Sequence, residues 1–307
     1  MEQKKVTFKG LQWTNIIAPD KETTEYLRNT YRFHELDLED CLSETQRSKI
    51  DEYEKYLFIV LHFPVFHPKK KLTDTAEVDI FVGQNYIITL HDGNIKALNE
   101  LFQNVQEKLA SRKKLMSQGA GFLLYEITSE LFKACFPLLD AIEDEIGVVE
   151  NDVFGEEVHH RDMLQDIMRL KKNILTFYRI IVPQRAVVAQ LEHKNKKFLP
   201  KDLEVYFDDI VDQIEKMYNT LENFKALVQN LHDTNESIIS HNTNKVMKVL
   251  TIFSVILLPM NLIASIYGMN LARLPYSENP MAFYLFLLGM AVLALTMFVF
   301  FRYKKWL

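Results

Sequence analysis

Apolar and polar positions alternate in short runs over the first third of the chain, and helical spacing dominates the rest. Residues 6–8 and 11–17 read as short strands. Residues 56–63, rich in β-branched and aromatic side chains, read as a buried strand that Pro64 ends or marks as a sheet edge. Further strands are expected at 78–82 and 86–91, with Gly83-Gln84-Asn85 as the turn and the polar run 68–74 as a hairpin loop. Helices are expected over 19–30, 33–42 and 95–111, which makes residues 1–115 a mixed-sheet α/β domain. From residue 116 to 200 the pattern is helical. One helix runs over 122–154 with a bend at Pro137, another over 159–190 with a kink at Pro183, and 194–197 is a solvated turn.

Residues 201–258 contain neither glycine nor proline, and a single helix of that length spans about 90 Å at about 1.5 Å per residue. Met217, Leu221, Phe224, Val228, Leu231, Asn235, Ile238, Asn242, Lys245 and Val249 repeat in alternating steps of four and three, a heptad seam that turns polar toward its end. Such a seam must pack against copies of itself, against the preceding helices, or both. The stalk is placed at 201–246 and a membrane hairpin at 247–307. Residues 249–272 and 281–301 carry no charge, and each is long enough for a hydrocarbon core that takes about 20 apolar residues.

Composition sharpens this division. The chain has 307 residues and a formal net charge of −5, which argues against nucleic acid as the main partner. Its mean hydropathy of −0.09 averages a charged first part with an apolar end. The two cysteines, Cys41 and Cys135, stand in no metal-type spacing and fit a reducing compartment. The N-terminus has no apolar signal region, so the C-terminal hairpin is expected to direct insertion. Lys245 and Lys248 precede the first span and Arg302, Lys304 and Lys305 follow the second, while the loop carries only Arg273 and Glu278. The positive-inside rule places both termini in the cytoplasm.

The first membrane helix carries a row of small and polar residues: Met247, Thr251, Ser254, Leu258, Asn261, Ser265 and Gly268. A polar stripe facing lipid is costly, so it faces protein or water. It serves either close helix packing or a water-filled pore. One hairpin cannot enclose a pore, so the second reading requires a homo-oligomer. Tyr267-Gly268-Met269-Asn270 would then stand at the outer mouth. Gly268 allows the helix to end and turn there. Asn270 either caps the helix end or presents a ring of amide carbonyls suited to hydrated Mg²⁺, which sheds its waters reluctantly.

Tyr267-Gly268-Met269-Asn270, preceded by residues 244–251 and Pro259 and followed by the ending Tyr303-Lys304-Lys305-Trp306-Leu307, resembles the CorA family of magnesium transport proteins. The resemblance is close over residues 202–307 and weaker over 33–42 and 49–56. It implies a funnel-shaped homopentamer in the inner or plasma membrane, with five copies of the long helix lining a pore for Mg²⁺ influx. Gly268, Met269 and Asn270 would form the selectivity motif. Asn244, Met247, Leu250, Leu258 and Asn261 would face the pore beside Thr251. Met247 and Leu250 would form a hydrophobic constriction that gates by excluding water. The resemblance also implies regulation by intracellular Mg²⁺ held between subunits, with Asp209 at a metal position and Asp212 one turn on. Co²⁺ and Ni²⁺ are further implied cargoes.

Two other readings stay open. A Zn²⁺ transporter shares this architecture, although zinc prefers nitrogen and sulfur ligands and the membrane helices hold no His or Cys. A non-conducting, membrane-anchored coiled-coil scaffold would use the same heptads. An enzyme is not expected: adjacent His159 and His160 diverge on a helix, and no phosphate-binding glycine loop or nucleotide motif occurs.

Overall fold

The computed structural model describes residues 2–43, 47–155, 160–193, 203–269, 280–304 and 306. Its contacts divide the chain into two compact units, residues 1–232 and 233–307.

The first unit is built on a six-stranded mixed sheet. β1 (Glu2–Phe8) and β2 (Leu11–Ile17) form a hairpin whose two turn residues, Lys9 and Gly10, both take positive φ (47° and 88°). That geometry matches the twist of the paired strands. β3 (Lys49–Glu52), β4 (Tyr56–His67), β5 (Leu72–Gly83) and β6 (Tyr86–His91) complete the order β1-β2-β6-β5-β4-β3, with β2 and β6 parallel and every other pair antiparallel. β4 and β5 outrun the expected strands because they pair with each other over their whole length, carrying polar Thr73, Asp74 and Thr75 into the ladder. β3 is short and polar, and no alternation announced it. At the β5–β6 turn, a Cβ on Gly83 would sit 2.3 Å from the ring of Tyr86, so only glycine fits.

α1 (Lys21–Tyr31) begins at Asp20, one residue beyond Pro19. Asp20 Oδ1 accepts from the Thr23 amide at 2.8 Å, and Thr23 Oγ1 accepts from the Asp20 amide at 3.2 Å, a reciprocal cap. α1 and α2 (Glu35–Asp40) cover one sheet face through Ile16, Leu27, Leu38, Phe58, Phe81 and Leu90. Phe33 stacks on Phe81 at 4.1 Å, and the hydroxyls of Tyr53 and Tyr56 donate to the buried Asp37 carboxylate at 2.9 and 2.8 Å. Elsewhere in the sheet, fully buried Trp13 meets Phe102 edge-on at 4.9 Å.

The helical half corrects two boundaries. The single helix expected over 95–111 is α3 (Lys96–Glu107) and α4 (Leu109–Met116), broken at Lys108, whose φ of −107° and ψ of 114° are extended. The one expected over 122–154 is α5 (Ala120–Lys133) and α6 (Phe136–Phe154). Pro137 therefore does not bend a helix. It sits in the first turn of α6, where its missing amide costs nothing. α7 (His160–His193) runs through Pro183. Residues 194–197 and His159 lie outside the described residues, as does the whole loop 270–279.

α7 also finishes the sheet. β3 pairs with β4 only as far as Val60, so the outer edge of β4 is open beyond it. The fully buried amide of Gln184 closes the next position: its Oε1 accepts from the His62 amide at 3.0 Å and its Nε2 donates to the His62 carbonyl. Pro64, the next residue facing that edge, has no amide to satisfy. The proline thus sits within a strand but at its unpaired edge. Asn173 repeats the device on the hairpin, accepting from the Thr73 amide at 3.0 Å and donating to the Lys71 carbonyl at 3.1 Å.

α8 (Glu204–Gly268) contributes to both units. In the first, Met217, Leu221, Phe224, Val228 and Leu231 are buried. Tyr218 lies against Tyr178 at 5.8 Å, Lys225 stands over the same ring, and Lys171 Nζ donates to Gln229 at 3.0 Å. This part of the heptad seam is thus buried within one chain, with α7 alongside the helix. Past Ile239, by contrast, the seam positions Asn242, Lys245 and Val249 are exposed.

Burial pushes the pKa of His91 down to about 4, opposed by nearby Asp92. Its Nδ1 accepts from the Gly93 amide at 3.1 Å, while Nε2 is buried without a partner. The unfolded chain therefore takes up the proton first on acidification. Stability is intact above about pH 6.5 and falls toward about pH 4, by roughly 2–3 kcal/mol. Denaturant midpoints followed by Trp13 fluorescence, in a Trp306→Phe background, should show that loss, and His91→Asn should remove it. Identical pH profiles for the two chains would refute the assignment.

Candidate functional site: the uncovered face of the membrane helix

The second unit holds the end of α8 and α9 (Pro280–Tyr303), both long and apolar enough to cross a bilayer. Almost nothing on them is buried. Among the described side chains of residues 249–306, only Ile252 and Phe301 are. Pro259 sits inside α8 and deprives the Val255 carbonyl of its helical donor.

One contact locates α9 around α8: the Tyr267 ring meets Phe286 of α9 at 4.6 Å. Ile252, 4% exposed, is the buried side chain nearest that side. Measured from Asn244 at about 100° per residue, Ile252 and Tyr267 point near 80° and 140°. Asn244, Met247, Leu250, Thr251, Leu258, Asn261 and Gly268 all fall in an arc of about 120° centred on the opposite side. Each of them is exposed, Met247, Leu250 and Leu258 by 54%, 58% and 67%. The stripe expected from sequence is therefore one continuous face, and α9 packs on the other side. The sequence reading missed the covering residues, Ile252 and Tyr267, because nothing in a uniformly apolar run marks which side meets a partner.

The hydroxyls on this face are partly committed. Thr251 Oγ1 donates to the Met247 carbonyl at 2.7 Å and Ser254 Oγ to the Leu250 carbonyl at 2.9 Å. Their donors are spent inside the helix, and their oxygen lone pairs remain to accept from water. Such a surface suits a hydrated cation, whose shell presents donors outward.

Gly268 is the last residue of α8. The helix ends there without a left-handed residue, since positive φ is found at Gly10, Gly93 and Gly119 but not at Gly268. A Cβ at Gly268 would meet nothing within 4 Å in one chain. Met269 is 53% exposed, and its amide approaches the Ile266 carbonyl at 3.4 Å. Asn270 lies outside the described residues, so the helix-cap and carbonyl-ring alternatives stay as the sequence left them.

Asp208, Asp209 and Asp212 stand on the exposed side of α8, opposite buried Phe207, Ile210, Val211 and Ile214. Asp209 Oδ2 accepts from Gln213 Nε2 at 2.7 Å. Among the described residues no group of three or more His, Cys, Asp or Glu is arranged to hold a metal within one chain. Asp209 and Asp212 therefore do not make a site on their own.

A family model described as CorA-like Mg²⁺ transporter protein matches residues 8–305. The cobalt/magnesium transport protein CorA of Thermotoga maritima is 31% identical over 297 residues, covering 96% of this chain and 83% of that protein. The complete structure of the CorA magnesium transporter from Methanocaldococcus jannaschii superposes with a TM-score of 0.85 at 26% identity, covering 98% of this chain and 94% of that one. At greater distance, the zinc transport protein ZntB of Yersinia pestis is 19% identical over 96% of this chain and 88% of that protein.

Proposed function

This chain belongs to the CorA-like family of Mg²⁺ transporters, and from that premise we propose that it conducts Mg²⁺ down its electrochemical gradient into the cell, through a homopentameric pore lined by α8. That it is a membrane-resident divalent metal ion transporter follows from the family and its two apolar helices. The finer reading rests on one observation: α9 packs against the Ile252–Tyr267 side and leaves the polar arc of α8 free for copies of itself and for water. A ring of such arcs encloses a path lined by Thr251, Ser254 and Asn261, with Met247 and Leu250 as an apolar constriction near its cytoplasmic end. Gly268, Met269 and Asn270 form the outer mouth. The accessible Asp209 and Asp212 meet carboxylates of a neighbouring subunit around a regulatory Mg²⁺, since two exposed acids on one helix need ligands from elsewhere. Both termini are cytoplasmic, as the flanking cations require. The parts expected from sequence carry over: an α/β domain at 1–115, helices at 116–200, a stalk at 201–246 and a membrane hairpin at 247–307.

The 19% identical ZntB relative supports a second reading, Zn²⁺ as the cargo. The polar groups of the arc are hydroxyls and amides with no His or Cys among them, which favours a hard, hydrated ion instead. Proteoliposomes holding the purified protein distinguish the two. Mg²⁺ influx, with Co²⁺ and Ni²⁺ passing as surrogates, is expected. Zn²⁺ flux without Mg²⁺ flux would overturn the ion assignment, and absence of any metal flux would overturn the pore.

A further inference from the structure

We propose that the cavity between the β3–β5 part of the sheet and α7 binds a small phosphate-bearing anion. The cavity measures about 510 Å³ and belongs wholly to the first unit. Its charge comes from two arginines on separate elements: Arg47, just before β3, and Arg179, on α7. Among the described residues neither guanidinium is paired with a carboxylate, and no acidic side chain lines the cavity. Two arginines lining one space, free of carboxylate partners, suit a phosphoryl group, because a planar guanidinium fork matches its oxygens.

The rest of the lining agrees with that ligand. Ser48, just before β3, Thr75 of β5 and Thr176 of α7 bring hydroxyl groups. His62 also lines it, with both ring nitrogens engaged, Nδ1 by Ser48 Oγ at 2.9 Å and Nε2 by Glu77 Oε2 at 2.9 Å. Glu77 itself faces a neighbouring acidic cavity of about 440 Å³ that also holds Asp79. His62 and Thr75 therefore separate an acidic space from a basic one. Ile180 and Pro183 add an apolar wall on the α7 side, which a bare inorganic ion would leave unused.

The walls are held firmly. Gln184 and Asn173 of α7 bond to the backbone of β4 and of the β4–β5 hairpin, so Arg179 and Thr176, between them on the same helix, keep a fixed distance from the sheet. A bound anion would draw Arg47 and Arg179 together and tie the start of β3 to α7. The site is no glycine loop and reaches no membrane helix, which fits a regulatory ligand rather than an energy source. It stands independently of the ion that the pore carries.

The test is calorimetric titration of the full-length protein in detergent and metal-free buffer, with inorganic phosphate and with AMP as probes. Arg47 and Arg179 are exposed, so Arg47→Gln and Arg179→Gln leave the core intact. Each should weaken binding by about tenfold or more. Lys113→Gln, an exposed cation on α4, should change nothing. AMP binding tighter than phosphate would assign the Ile180–Pro183 wall to a nucleoside, and equal binding would assign the site to phosphate alone; both sustain the proposal. No binding of either probe at millimolar concentration overturns it. So does binding that the arginine variants leave unchanged, or that Lys113→Gln weakens equally.

Discussion

Asn270→Ala should reduce Mg²⁺ influx into proteoliposomes by about 100-fold or more while the assembly stays intact. At the proposed outer mouth a neutral amide oxygen would accept hydrogen bonds from the waters of a hydrated Mg²⁺, an ion that dehydrates reluctantly. Each such bond is worth about 1 kcal/mol net. In the proposed pentamer one substitution would remove one acceptor from every subunit at once, so about 5 kcal/mol of gross binding would be lost from one ring. A loss of even 2.8 kcal/mol corresponds to about 100-fold. Alanine leaves the backbone unaltered, so native gel migration should match the parent chain. Flux at the parent rate would return Asn270 to the role of a helix cap and move selectivity to Thr251 and Asn261, deeper along the arc.

The largest effect on stability is expected at Gln184. Gln184→Leu should destabilise the first unit by about 3–5 kcal/mol. Leucine fills a similar volume but leaves the His62 amide and carbonyl buried and unpaired, at about 1–3 kcal/mol for each group. The Ile180 carbonyl also loses the second bond of Gln184 Nε2, at 3.0 Å. Chemical denaturation followed by Trp13, which is fully buried in this unit, reads the loss directly. A midpoint unchanged from the parent chain would mean that water satisfies the β4 edge and that the amide is dispensable. A side-chain amide standing in for a missing strand is invisible to sequence reading. Pro183-Gln184-Arg185 looks like any solvated helical turn.

The same contrast runs through the molecule. Strands β2 and β6 were legible because alternation and β-branched content coincide with burial on both faces. β3 was not, since Lys49–Glu52 has no apolar alternation and exists only because β4 offers it an edge. Two long helices were expected where four occur. Helical periodicity continues across Lys108 and across Ala134-Cys135, and only the directions of packing force the chain to turn there. Within the heptad seam, every position from Met217 to Leu231 is buried as its spacing requires, yet it is buried within one chain. Heptads specify a stripe and say nothing about what covers it.

Of the candidate site, the face was legible and its surroundings were not. Steps of three and four placed Met247, Thr251, Leu258 and Asn261 on one side of a helix, because 3.6 residues per turn leaves no other outcome for that spacing. The uncharged runs determined two membrane-crossing helices, because hydrocarbon excludes charge and demands length. Those statements need only the sequence. Which side of α8 meets α9, where the seam finds its partner, and that Arg47 and Arg179 face one cavity were decided by tertiary structure alone. Each depends on residues distant in the chain being brought together, and local periodicity carries no record of distant partners.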